Sequence, residues 1–300
     1  MEKNNILPLY HVDEINFPFI EGSFIGKSGK VIEGFFLIDT GSTHNIFNFR
    51  AQHTLDESSY LSGKQNVTAV DNKGEECPLI NLNIQVGNIE CEEHFCVSQN
   101  VDFRQYFGKN RIIGVLGVNF LMKYGLVLDF EQKCLRTSDM QPVCLEDKSF
   151  IFGMNYGLNS YGIPIVGLIN KDKVYLCIVD SGSNMNVLTQ LALENATQNI
   201  QSTDEEGSLG GLFGEIDSSI SQAEFCLVSS VSSKEMNILK DKSFFQVLAG
   251  RQYIASMEDN KTQVIDGLLG TEYLLQRKWV LDFGLHIMYS RSDYEKIEHR

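Results

Sequence analysis

Apolar residues along the chain come in short runs, rich in β-branched and aromatic side chains, and Gly, Asn, Asp or Ser break them. That pattern predicts strands joined by turns. The clearest case is Leu79-Ile80-Asn81-Leu82-Asn83-Ile84-Gln85-Val86-Gly87, apolar at every second position from Ile80 to Val86. A period of two puts those side chains on one face, so the segment reads as a half-buried strand. Asp71-Asn72-Lys73-Gly74, just upstream, supplies turn-forming residues and predicts a hairpin. Helical signal is brief. Residues 118–124 and 271–278 suit one or two turns each, and 189–197 is a third candidate. Only 5 Pro and as many as 25 Gly fit a turn-rich β protein. The expected fold class is all-β.

Two apolar runs end alike. The first is Phe35-Phe36-Leu37-Ile38-Asp39-Thr40-Gly41-Ser42, and the second is Tyr175-Leu176-Cys177-Ile178-Val179-Asp180-Ser181-Gly182-Ser183. The two Asp lie 141 residues apart. An Asp at the end of an apolar strand is costly to ionise unless it has partners. Two such Asp, delivered by two halves of one chain, can partner each other. Carboxylates that share a site resist ionising together, so one keeps a proton that the other lacks. Such a pair is both a general acid and a general base.

The repeat extends beyond these tetrads. Val115-Leu116-Gly117-Val118-Asn119-Phe120-Leu121 is matched by Leu268-Leu269-Gly270-Thr271-Glu272-Tyr273-Leu274. Val127-Leu128-Asp129-Phe130 is matched by Val280-Leu281-Asp282-Phe283, with the Asp 12 residues after the Gly in both halves. The tetrad Gly precedes the second Gly by 76 residues in the first half and 88 in the second, which implies an insertion of 12. Upstream, Pro18-Phe19-Ile20-Glu21-Gly22 is loosely echoed by Gly162-Ile163-Pro164-Ile165-Val166-Gly167. A duplicated unit near 145 residues long explains this order, and it is too long for a solenoid repeat. The polar, Pro-containing stretch 141–148 places the junction near 147, giving halves 1–147 and 148–300. Asp129 and Asp282 read as exposed turn or strand-edge residues.

Length and charge narrow the function. A chain of 300 residues suits about two domains, and 43% apolar content is enough for real cores. A net charge of −14 argues against a nucleic-acid surface and serves solubility. The start, Met1-Glu2-Lys3-Asn4-Asn5, lacks the runs of a secretory leader, and no apolar run reaches membrane-spanning length. The expectation is a cytoplasmic protein with no membrane partner. Seven Cys, an odd number that does not repeat between halves, read as reduced thiols. Cys91 and Cys96 flank Glu92, Glu93 and His94, but their spacing matches no zinc-ligand pair. No metal and no cofactor are expected.

At this point the residues resemble the aspartic peptidases of the pepsin and retropepsin type. The resemblance rests on Asp-Thr/Ser-Gly-Ser after an apolar strand, followed by apolar-apolar-Gly-x-x-aromatic-Leu, each occurring twice. It implies two related β-barrel-like lobes of the acid-protease fold, arranged as a pseudo-two-fold dimer within one chain and hence as a monomer. It implies that Asp39 and Asp180 are a catalytic dyad that activates water against a peptide bond. Thr40 and Ser181 would bond across to the opposite loop, and Gly41 and Gly182 would let the loops approach. Ser42 and Ser183 would donate to the outer carboxylate oxygens, lowering the carboxyl pKa values and setting an acid-side pH optimum. Flaps would close over an extended peptide, from Asp71, Asn72, Lys73 and Gly74 in the first half and Gly210, Gly211, Leu212 and Phe213 in the second. The first flap, around 67–79, lacks the Tyr that pepsin-like enzymes carry there.

Two other readings compete. A non-catalytic peptide-binding module could keep this fold without turnover. An actin-like phosphotransferase also carries an Asp-x-Gly in each of two domains, and Asp39-Thr40-Gly41-Ser42-Thr43 would serve it. Short length and period-two strands oppose that second rival. The six His, including His44 beside the first tetrad, are isolated and suggest no Ser or Cys triad.

Overall fold

The alternating runs form strands, and the chain is mostly β. In this computed structural model the described residues are 6–12, 15–68, 74–99, 111–138, 152–155, 157–158, 162–170, 173–190, 192, 200–211, 214–228, 238–248, 254–258, 261–290 and 295–296. In strand Gly74–Val86, Ile80, Leu82, Ile84 and Val86 are buried while Asn83 and Gln85 are exposed. The period of two is therefore kept in three dimensions. Short helices, Val118–Lys123 and Thr271–Gln276, follow the two Leu-Gly segments. For the helix expected over 189–197, Thr189 Oγ1 accepts from Ala192 N at 3.1 Å, as a helix N-cap does. Residues 193–199 lie outside the described residues, as does the junction near 147.

Two sheets share one strand order. The first runs Tyr10–Val12, Ile15–Ile25, Val31–Asp39, Ile112–Gly117, Ile46–Asn48, Ile89–Ser98, Gly74–Val86, Tyr60–Thr68. It curls back on itself where Phe24 pairs with Ile84. The second runs Gly157–Leu158, Pro164–Asn170, Lys173–Val179, Gly267–Leu269, Val187–Leu188, Ile238–Leu248, Gly214–Val228, Ile200–Gly211. It returns where Ile169 pairs with Cys226. In each sheet the strand leading to the tetrad Asp lies parallel to the Leu-Gly strand. Phe19 pairs with Leu37 and Ile165 with Ile178, so the echoed Pro18 and Pro164 occupy matching registers. Neither sheet alternates strand with helix among the described residues, unlike a β/α domain.

The expected single insertion is in fact split. Matched residues Asn45 and Asn186 are offset by 141, Cys96 and Gln246 by 150, and Gly117 and Gly270 by 153. Most of the excess falls in the segment carrying the second hairpin, whose strands of 12 and 15 residues exceed the 9 and 13 of the first.

A third, six-stranded antiparallel sheet joins the halves. Its order is Ile6–Pro8, Cys134–Thr137, Leu126–Asp129, Trp279–Asp282, Ile287–Ser290, Phe152–Asn155. At its centre Val127 pairs with Asp282, Leu128 with Leu281, and Asp129 with Val280. This register is symmetric about the Leu128–Leu281 pair. Phe130 N donates to Trp279 O at 3.0 Å and Phe283 N donates to Leu126 O at 2.9 Å, extending the symmetry. Trp279, Leu128 and Leu281 are fully buried at this seam.

Asp129 and Asp282 are not exposed, contrary to expectation; they are 3% and 5% accessible. Both cap hairpin turns. Asp129 Oδ1 accepts from Gln132 N at 2.8 Å, and Asp282 Oδ1 accepts from Gly284 N and Leu285 N, both at 2.9 Å. Ser138 Oγ, from the other half, donates to Asp282 Oδ2 at 3.0 Å. The turn needs a short acceptor side chain, and the joining sheet covers it.

Because the seam is built on one matched pair, Leu128→Ala and Leu281→Ala should destabilise alike. Each should lower unfolding free energy by about 2–5 kcal/mol in urea titration.

Candidate active site

Each tetrad Asp sits where a strand runs out. Residues 36–38 and 177–179 are buried in their cores and drive the strands inward. The chain then turns sharply, and the two turns meet.

Four reciprocal hydrogen bonds lock the turns together. Thr40 Oγ1 donates to Val179 O at 2.6 Å and accepts from Ser181 N at 2.9 Å. Ser181 Oγ donates to Ile38 O at 2.7 Å and accepts from Thr40 N at 3.1 Å. Both side chains are wholly inaccessible, so each bond is made away from water, where an unmade one is expensive. A hydroxyl is required because it alone both donates and accepts here.

The crossing brings the carboxyl groups of Asp39 and Asp180 into hydrogen-bond contact. A Cβ on Gly41 would lie 2.5 Å from Asp180 Cγ, and one on Gly182 would overlap the Asp39 carboxyl. Glycine is therefore obligatory at both positions on space alone. Asp39 Oδ1 accepts from Gly41 N at 2.9 Å and Ser42 N at 3.1 Å. Asp180 Oδ1 accepts from Gly182 N at 2.8 Å. Burial, the Asp180 charge and the bond to Asp180 hold Asp39 well above the ordinary carboxylate range. Burial also raises Asp180, against the pull of Asp39 and of the backbone N–H groups of residues 182, 183 and 41. One proton is thus retained by the pair, leaving one donor and one acceptor side by side.

Ser42 and Ser183 do not play the expected part. Ser42 Oγ donates to His44 O and Ser183 Oγ to Met185 O, both at 2.9 Å. The carboxylates are served by backbone N–H groups, which the turn aims at Oδ1 of each Asp. The hydroxyls brace the loop two residues on, and the acid-side argument built on them falls with that role. Burial pushes the His44 imidazole down.

The reading of the sequence missed Asn45 and Asn186. Each follows its Asp by six residues, a repeat that was legible in the chain. Asn45 Oδ1 accepts from Gly117 N at 3.0 Å and Asn186 Oδ1 from Gly270 N at 2.9 Å.

The expected flaps are hairpins whose tips are outside the described residues. Thr68 pairs with Gly74, and Asp71, Asn72 and Lys73 lie beyond description. Gly210 pairs with Glu215 and Gly211 with Gly214, while Leu212 and Phe213 are likewise not described.

Among the described residues no three His, Cys, Asp or Glu side chains converge as metal ligands. Cys77, Cys91, Cys96, Cys134, Cys177 and Cys226 are free thiols, and Cys144 is outside the described residues. Among the described residues no helix is long and apolar enough to cross a membrane. No protein-family model matches the chain, and no curated protein matches it at a significant level.

Thr40→Val keeps the volume but removes both hydroxyl bonds, leaving a buried N–H and a buried carbonyl unmet. It should cost about 1–3 kcal/mol for each group stranded, read by thermal or urea unfolding, while Thr40→Ser should be tolerated. Ser42→Ala should leave the carboxyl pair's titration unmoved in carboxyl-resolved NMR.

Proposed function

We propose that this chain is an aspartic endopeptidase with the duplicated acid-protease fold, its two halves each resembling one retropepsin subunit. The observation that carries this reading is the hydrogen-bonded Asp39–Asp180 pair, held by the reciprocal Thr40 and Ser181 bonds. The matched strand orders and the symmetric joining sheet support it further.

The mechanism follows from the pair. A water between the carboxyls gives a proton to the ionised one and attacks the peptide carbonyl carbon. The protonated carboxyl donates to the carbonyl oxygen, and a proton then passes to the leaving amine. No acyl-enzyme forms. Each positioned acid or base contributes about 10²–10⁴-fold, and orientation of an extended peptide contributes more. The substrate is a peptide or protein bound as a strand, and the internal two-fold makes a monomer sufficient.

The pH behaviour is set by burial of the pair rather than by the Ser hydroxyls. Asp39 holds its proton more tightly in the folded chain than in the unfolded one. Its contribution to stability is fully present below the ordinary value of 3.8 and is lost as pH rises through the folded value. Above that value two adjacent carboxylates, one of them buried, repel. The upper limb of the rate profile should accordingly lie above the ordinary carboxylate range.

The test is incubation with a denatured protein mixture across pH, followed by mapping of the cut sites. Asp39→Asn and Asp180→Asn should each abolish cutting and raise stability at neutral pH. A statine-type transition-state mimic should compete with substrate. Retention of activity by either variant overturns the proposal.

A further inference from the structure

Asn45 and Asn186 stand apart from the tetrads, yet each is nine-tenths or more buried beside one, at 6% and 4% accessible. Their amide oxygens accept from Gly117 N and Gly270 N, as above. Those glycines open the short helices, whose first N–H groups, of Val118 and Thr271, donate to Ser42 O and Ser183 O at 2.7 Å each. Each Asp loop is thus tied to its Leu-Gly segment at these two points, and in the second half Thr271 Oγ1 also donates to Ser181 O at 2.8 Å and Glu272 N to Asn184 O at 3.0 Å. The glycine backbone is pressed against each loop. A Cβ on Gly117 would sit 2.6 Å from Ser42 O and 2.7 Å from His44 O, and one on Gly270 would strike Met185 O.

The amide nitrogens point the other way, and there the halves differ. Asn186 Nδ2 donates to Ser243 Oγ at 2.9 Å and Phe244 O at 3.0 Å. Asn45 Nδ2 donates to His94 O at 3.2 Å and to Glu93 Oε2 at 3.4 Å. Glu93 is buried, and its other oxygen accepts from Lys123 Nζ and Tyr124 OH, at the far end of the helix that Gly117 opens. Strand Ile89–Ser98, which carries Glu93, also pairs with the hairpin strand Gly74–Val86. Asn45 therefore stands where the Asp39 loop, the Leu-Gly helix and the hairpin meet.

We infer that Asn45 and Asn186 are positioning residues that set the approach of the two Asp loops, and so whether the carboxyls share a proton, with Glu93 completing the brace in the first half alone. The catalytic consequence rests on the proposed peptidase function; the effect on the carboxyl pair does not. Loss of an amide oxygen strands a buried glycine N–H, so the loop must shift to find an acceptor. Two carboxyls moved apart repel less, and the proton they share is released more readily.

The experiment uses the full chain with ¹³C-labelled Asp carboxyls, titrated by NMR, beside steady-state kinetics. In Asn45→Ala and Asn186→Ala the upper titration step of the Asp39–Asp180 pair should move down toward the ordinary range. The value of kcat should fall by about 10²-fold with KM little changed. The titration needs no substrate. A wild type that cuts nothing therefore sinks the peptidase reading and leaves the brace to be judged by its own arm.

A second pair of variants separates positioning from mere folding. Asn45→Asp faces the Glu93 carboxylate and should disturb the titration as Asn45→Ala does. Asn45→Asp combined with Glu93→Gln exchanges amide and carboxylate and should restore it in part, since His94 O still faces the carboxylate. Asn186→Asp finds a donor in the Ser243 hydroxyl but still faces Phe244 O, so it should disturb the titration less than Asn45→Asp does. An upper step that is unmoved in both folded Ala variants overturns the inference. Where an Ala variant does not fold, the exchange decides: restoration supports the brace, and a folded exchange variant without it overturns the brace.

Discussion

Two carboxyl groups set against each other, Asp180 buried and Asp39 half-buried, are the constraint around which this protein is arranged. Left alone they would repel, and each would be costly to remove from water. Several features offset that cost. A shared proton removes one charge, backbone N–H groups from both turns solvate the other, and the Thr40 and Ser181 bonds stop the turns from separating. The glycines follow from the same proximity, since a single methyl group at residue 41 or 182 would occupy the space of the opposite carboxyl.

The joining sheet makes this meeting possible at a distance. Its central register, symmetric about Leu128 and Leu281, fixes the relative placement of the halves before any side chain at the dyad is considered. The helices that follow Gly117 and Gly270 run between that sheet and the Asp loops. Seam, helix and loop are therefore one mechanical unit in each half.

The halves are alike in backbone and unlike in the chemistry that supports it. The first fastens its helix with Glu93 on Lys123 and Tyr124. The second uses Asp241, which accepts from Tyr273 OH at 2.7 Å and from Arg277. Both place a buried carboxylate under the helix, but only Glu93 also reaches the Asn of its own Asp loop.

Much of this was legible in the chain. Strand character followed from period-two runs, because a pleated strand alternates its faces whatever surrounds it. The short helices after Leu-Gly and the matched tetrads were visible because they are local and occur twice. What the chain could not reveal were partners chosen by long-range packing. Ser42 and Ser183 looked like carboxylate donors, but their hydroxyls donate to His44 O and Met185 O, carbonyls that each loop brings back beside them. Asp129 and Asp282 read as exposed because they stand at strand ends, and the joining sheet buries them. Asn45 and Asn186 repeat at one spacing, yet their purpose appears only when Gly117 and Gly270, 72 and 84 residues further on, arrive beside them. By itself the sequence determined which segments are strands, which residues turn, and that two acidic loops recur. The tertiary structure decided which donor faces which acceptor, since hydrogen bonds between distant segments depend on register and approach that no local pattern encodes.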